Sequence, residues 1–337
     1  MGVPHPPIPP TPPRLRELDG LRGLAALAVA LYHYTCFVPF ILPGTALPAL
    51  QLPWGCDGVK LFFAISAFAI LVTLERTPGL RDFAWARARR LLPEYWVAMA
   101  LTGGIAWALG PARLQVDPRS WLANLPLLQP WTGVAMVDGV YWTLNVEILF
   151  YSLIALAWRA GLTQRIDRLV AGWMALRLSC WLLPVPAWVQ QLLLIEHAPY
   201  FAIGLIAARQ WSGRALDGEA LALVAVVIAV TALTGDGHAT LLVMGLAALF
   251  AFVVYHRAAW LAHPALLWLG AVSYPFYLLH AVIGYAIIAR LQAMGTGAEG
   301  AALATLGGTL ALAAIVAGAA DRWRRPALVP ALRLALA

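Results

Sequence analysis

Apolar stretches about the length of a bilayer crossing recur along nearly all of this chain, and no other property restricts its fold as severely. A helix rises about 1.5 Å per residue, so ~20 apolar residues cover a ~30 Å hydrocarbon core. In lipid the backbone must also satisfy its own hydrogen bonds, which a helix does within one segment. Ten such stretches are read, at roughly 18–38, 57–75, 91–110, 141–158, 168–184, 190–208, 217–234, 238–256, 266–290 and 300–320. The expected fold class is all-α: a polytopic membrane protein of about ten transmembrane helices. Composition agrees, because 337 residues that are 62% hydrophobic and 12% charged are too apolar for a soluble domain of this size.

The basic residues orient the chain. Seventeen of the 23 fall in alternate connections and the tails, among them Arg76, Arg81, Arg87, Arg89 and Arg90 after the second stretch. The opposite connections hold Arg113, Arg119 and Arg290. By the positive-inside rule both termini are expected in the cytoplasm, as an even number of spans requires. The formal charge of +7 is then topology and not a nucleic-acid footprint. Residues 1–13, with seven prolines, are expected as a disordered cytoplasmic tail. Residues 14–321 form the membrane domain and 322–337 a basic tail. No basic segment precedes a short apolar run with a small-residue cleavage site, so the first helix is expected to stay in the membrane. Cys36, Cys56 and Cys180 lack metal-ligand spacing, and no metal is expected. Cys36 and Cys56 both fall near outer helix ends, where either a disulfide or two separate thiols is open.

The stretch Leu18 to Tyr34, LDGLRGLAALAVALYHY, carries Asp19, Arg22 and His33. Arg22 and His33 are eleven residues apart, close to three turns, so they share one face with an axial rise of roughly 16 Å. Ionisable groups inside a membrane are costly and mark sites or pathways. The plainer reading is an arginine that snorkels to the headgroups and a histidine satisfied by a neighbouring helix.

Helical rise gives depths. His33 comes roughly 22 Å above the cytoplasmic entry, His280 roughly 21 Å, and Glu147 roughly 9 Å below the outer surface. Glu196 and His197 come out at a similar level. Such groups are expected to face one shared polar cavity, with Glu147 supporting His33 as a general base. On the inner side Arg87, Arg89 and Arg90, ahead of Tyr95, form a guanidinium cluster suited to phosphate, although topology alone also puts arginines there.

With these residues in place, LDGLRGLAALAVALYHY resembles the opening signature of the membrane-bound acyltransferase-3 family, whose members O-acylate bacterial cell-surface polysaccharides. GVKLFFAISAFAIL (58–71), FAWARARRLLPEYW (83–96), YWTLNVEILFY (141–151), PYFAIGLIAA (199–208) and LGAVSYPFYLLH (269–280) are similar to later family segments, in family order. Departures are Ala67 in place of a usual glycine, Lys60 where an acidic residue is common, and Asn145 in place of a frequent serine. Many relatives carry a further C-terminal esterase-like domain, which these residues do not include.

The resemblance implies transfer of an acyl group, acetyl by default, from cytoplasmic acyl-CoA to a hydroxyl of an extracytoplasmic glycan, at the bacterial inner membrane. Arg22, His33 and Glu147 are the expected catalytic residues. Arg22, Arg87, Arg89, Arg90 and Tyr95 would hold the acyl-CoA, and Asp19, Ser66, Trp142, Tyr274 and His280 would contact substrate. The partners implied are membrane lipid, acyl-CoA and a glycan acceptor. His33 is either a base for the acceptor hydroxyl or a nucleophile forming an acyl-histidine. A proton-coupled transporter is the rival class, though no repeated half is visible.

Overall fold

The computed structural model describes residues 15–74, 77–127, 129–212, 218–255 and 258–324. The proline-rich segment 1–13, Arg14, Arg76, Arg214, Arg257 and the tail from 325 onward lie outside them. The described residues are helical and contain no strand. In chain order the principal helices are α1 (Glu17–Tyr32), α2 (Gly58–Leu74), α3 (Leu80–Leu109), α4 (Trp142–Arg159), α5 (Ile166–Leu182) and α6 (Ala198–Trp211). They continue with α7 (Gly218–Thr234), α8 (Gly237–Val254), α9 (Pro264–Leu279), α10 (Ala281–Ala293) and α11 (Ala298–Arg324).

Among the described residues, five segments are long and apolar enough to cross a membrane: Glu17–Ile41, Pro53–Leu74, Gly139–Arg159, Gly237–Val254 and Ala298–Arg322. The bent pair α9–α10 makes a sixth if taken as one span. The protein is therefore a helical membrane protein, with five or six segments meeting the test where the sequence leads one to expect ten. The difference has local causes. α5 and α7 have 17 residues and α6 has 14, while α3 carries Pro93 and Glu94 inside its apolar half.

Two expected spans are interrupted. The stretch at 190–208 begins as a short helix, Ala187–Leu192, passes through a turn with Leu194 at φ 52°, and resumes as α6. Irregular backbone in a membrane needs partners, and Arg177 of α5 supplies them. Its Nη1 donates to the carbonyls of Ile195 at 2.6 Å and Glu196 at 3.1 Å, and its Nε donates to Thr234 Oγ1 at 2.7 Å. The stretch at 266–290 is expected as one helix but bends by 73° at His280. A straight helix would bond Val282 N–H to the Leu278 carbonyl. Here Val282 N–H donates to Asp138 Oδ2 at 2.9 Å, and the Leu278 carbonyl accepts the Tyr141 hydroxyl at 3.3 Å. The Tyr34 hydroxyl donates to the His280 carbonyl at 2.8 Å. Side chains of the distant segment 138–141 thus meet the two backbone groups that the break releases, while the His280 carbonyl keeps its helical bond from Gly284 N–H and accepts Tyr34 in addition.

α1 runs against α9 at backbone distance. A Cβ on Gly270 would overlap the Asp19 carbonyl, and one on Gly20 would overlap the Leu261 carbonyl. Without a hydrophobic drive between helices in lipid, such close approach is what draws them together. Gly204 plays the same part where α6 meets Ala64 of α2. Cys36, Cys56 and Cys180 are free thiols.

Candidate active site

α1 carries Arg22 and then His33, where the helix passes into a π-helical turn, His33–Phe37, before the short helix Val38–Ile41. π-bulges concentrate at functional positions because one extra residue re-aims the side chains around it.

Near Arg22 the helices leave a chamber of about 80 Å³, lined by Arg22, by Phe62, Phe63, Ser66 and Ile70 of α2, by Arg90 and Leu91 of α3, by Leu144, Glu147 and Tyr151 of α4, and by Ser273, Tyr274 and Tyr277 of α9. Spacings of three, four and seven residues on α2 and α4 put one stripe of each helix on the cavity. The Ser66 hydroxyl donates to Glu147 Oε1 at 3.1 Å, and the Tyr151 hydroxyl donates to the same oxygen. Arg22 Nη1 lies 3.4 Å from Asp19 Oδ1. The Arg87 guanidinium stands 5.5 Å from the Phe83 ring centroid and 5.9 Å from that of Tyr151, within cation–π range. Arg22, Arg90, Ser273 and Tyr274 also line a wider mouth of about 690 Å³, to which Arg16, Asp19 and Glu94 contribute. The Tyr274 hydroxyl donates to the Leu91 carbonyl at 2.9 Å, tying α9 to α3 across this opening.

His33 and His280 form a second constellation. Their ring centroids are 4.8 Å apart, and His280 Nε2 lies 3.2 Å from His33 Nδ1. Each Nδ1 also meets a carbonyl at 2.7 Å, Val29 for His33 and Tyr277 for His280. His33 is half-buried and flanked by Tyr32, Phe37 and Tyr285, whereas His280 is fully buried. Neither histidine lines the chamber. Tyr277 joins the two regions, since it lines the chamber and its ring centroid stands 5.4 Å from that of His280.

Several expected placements change. Glu147 does not support His33: its carboxylate is held by Ser66 and Tyr151 and interacts with Arg22, Arg87 and Arg90. The single shared cavity divides, with Glu147 at the arginines and the histidines apart. His197 packs between Phe63 and Trp142, and Glu196 is exposed. Trp142, 38% exposed, lies at that second location and does not line the chamber. His280 has no exposed surface with which to contact substrate directly.

Tyr95 is not part of the arginine cluster. It is fully buried, donates to the Asn124 carbonyl at 2.7 Å and accepts from Gln129 Nε2 at 3.0 Å. Arg89 is exposed and lines neither cavity. Helical spacing carried this signal: Glu94, one turn from Arg90, shares its face, while Tyr95 turns about 140° away. Asp19, Arg22, Arg90, Ser66 and Tyr274 are brought together at the chamber and its mouth. Tyr277 and Tyr151 were missed, although Tyr151 sits four residues from Glu147 and Tyr277 three from Tyr274.

Comparison with known proteins adds to this geometry. A family described as an acyltransferase domain, acyltransferase-3, matches residues 15–320. The exopolysaccharide production protein ExoZ of Rhizobium meliloti (strain 1021) is 38% identical over 111 residues, which cover 30% of this chain and 33% of that protein. The chain thus matches a third of that relative's length. Nodulation protein 10 of Rhizobium leguminosarum bv. viciae is 25% identical over 284 residues, 71% of this chain and 74% of that protein. No solved structure matches.

Proposed function

Because the chain belongs to the acyltransferase-3 family, whose domain covers residues 15–320, we propose that it carries a short acyl group, acetyl by default, from acyl-CoA to a hydroxyl of a surface polysaccharide. The donor enters from the cytoplasm and the acceptor from the far side of the bacterial inner membrane. The observation that carries this reading is the layout of α1: Arg22 lines a chamber that opens to an arginine-bearing mouth, and His33 stands further along the same helix.

Guanidinium groups at the mouth suit the phosphates of CoA, which they can grip through paired charge-assisted hydrogen bonds. Arg16, Arg22 and Arg90 are placed for this, and Arg87 stands behind them against Tyr151. The chamber beyond is small and mostly apolar, which suits a short acyl thioester and excludes bulk water. In the transfer step His33 removes the proton from the acceptor hydroxyl as its oxygen attacks the thioester carbonyl. The carbon–sulfur bond then breaks and CoA leaves as a thiolate that takes up a proton. Attack by His33 on the thioester, with the sugar resolving an acyl-histidine, is the other order of events. Tyr277, which lines the chamber and stands beside His280, is the side chain that links the chamber to the histidine pair.

The polysaccharide acceptor is supported by the name of ExoZ, an exopolysaccharide production protein. Membership of an acyltransferase family favours this reading over a transporter. The test is mass spectrometry of surface polysaccharide from a strain lacking the protein and complemented with wild type or His33→Ala. Acyl groups should appear with wild type and be absent with the variant. Acyl groups that persist with His33→Ala would remove His33 from the reaction.

A further inference from the structure

The two histidines constrain each other's protons. A carbonyl oxygen only accepts, so the 2.7 Å contact of His280 Nδ1 with the Tyr277 carbonyl requires a proton on that nitrogen. In neutral His280 the lone pair is therefore on Nε2, and Nε2 is the atom facing His33 Nδ1 at 3.2 Å. His33 Nδ1 then faces two acceptors, His280 Nε2 and the Val29 carbonyl at 2.7 Å. A proton on His33 Nδ1 satisfies both. The opposite tautomer would set lone pairs against each other at every one of these contacts.

We infer that His280 is the positioning residue of His33: the Val29 carbonyl holds the proton on Nδ1 and leaves Nε2 as the reacting atom, and His280 Nε2 supplies the second acceptor that fixes the ring's orientation and steadies the imidazolium when His33 Nε2 takes a proton or an acyl group. This rests on the role given to His33 above. A neutral imidazole takes the part that a carboxylate plays in Ser–His–Asp sites, where the third group fixes tautomer and orientation without touching substrate. Its own orientation is fixed in turn, because it sits at the 73° break, with Tyr34 on its carbonyl and its N–H donated to the Phe276 carbonyl at 3.0 Å. Full burial keeps water from competing for Nε2.

Two variants separate this role from a structural one. His280→Leu removes the acceptor, whereas His280→Gln can place a carboxamide oxygen near the position of Nε2. Activity is read as transfer of label from [14C]acetyl-CoA to endogenous glycolipid in membrane vesicles. Tautomer state is read by 15N NMR of histidine-labelled protein in lipid, with His33→Ala assigning one signal among the seven histidines. His280→Leu should lower kcat about 100-fold with KM for acetyl-CoA unchanged, and the His33 Nδ1–H resonance, still held by the Val29 carbonyl, should shift as its second acceptor is lost. His280→Gln should recover at least a tenth of wild-type turnover and return that resonance toward its wild-type position. Wild-type kcat in His280→Leu beside an inactive His33→Ala would overturn the positioning role and leave the proposed function standing. Equal loss in both His280 variants, with the His33 Nδ1–H resonance unmoved, would overturn it as well. An active His33→Ala would instead remove the reading on which it rests.

Discussion

Glu147 Oε1 accepts the Ser66 hydroxyl at 3.1 Å, and that bond keeps the carboxylate among arginines and away from the histidine pair. Its partners point to charge balance as its task. Arg22, Arg87 and Arg90 all interact with it electrostatically where the chamber meets its open mouth.

Glu147→Gln should therefore act on stability more than on the chemical step. Removing one member of this half-buried charge set leaves the others uncompensated, at a cost below the ~3–5 kcal/mol of a sealed interior because the set stands beside an open mouth. The expected result is a melting temperature several degrees lower, read by size-exclusion chromatography of heated detergent extracts, with kcat within about tenfold of wild type. A loss of kcat near that of His33→Ala, at unchanged stability, would return Glu147 to the reaction itself.

Arg22→Ala should weaken acyl-CoA binding. Charge-assisted hydrogen bonds contribute about 1.5–3 kcal/mol each, roughly 10- to 150-fold in Kd. Arg22→Lys should recover only part of this, because an ammonium lacks the planar fork that grips phosphate in two bonds. Binding of radiolabelled CoA to membranes measures the effect, and unchanged affinity in both variants would move the donor site elsewhere.

Arg177→Leu should strand the carbonyls of Ile195 and Glu196 in the turn before α6. Each unsatisfied buried polar group costs about 1–3 kcal/mol, so a loss of roughly 2–5 kcal/mol is expected. The readout is proteolysis of that turn in reconstituted protein, which should accelerate while acetyl-CoA affinity stays near wild type.

Two glycines should respond in opposite directions. Gly270→Ala places a methyl group into the Asp19 carbonyl, which cannot yield without moving α1, so both stability and Arg22-dependent CoA binding should fall. Gly307→Ala on α11 meets nothing within 4 Å and should stabilise by about 0.5–1 kcal/mol through helix propensity alone. Thermal melts of the pair check the close packing of α1 on α9.

What could be read from the chain and what could not divides along the range of the interactions. That Arg22 and His33 lie along one helix was legible from its period, whereas their division between the chamber and a separate histidine pair was not. The helical class was legible because lipid leaves the backbone few alternatives. The break at His280 was not, since Asp138 and Tyr141 precede it by more than a hundred residues and no local pattern announces that they will take over its hydrogen bonds. Arg177 lies within the fifth apolar stretch, and nothing local to it announces the irregular turn whose carbonyls it serves. Glu147 was matched to His33 by depth alone, and depth says nothing about which way a side chain faces around its axis. Tyr95 was drawn to the arginines by proximity in sequence where helical phase would have sent it away.

The contact between His33 and His280 joins residues 247 positions apart, and ribosomes make proteins from one end. α1 therefore enters the bilayer while residues 264–293 are still unmade, with its arginine and histidine facing lipid, water or the insertion machinery instead of their eventual partners. For that interval the nascent helix must be held by something other than its own fold. A ribosome stalled before codon 264 should leave α1 far easier to extract from membranes than one stalled after α10 has emerged.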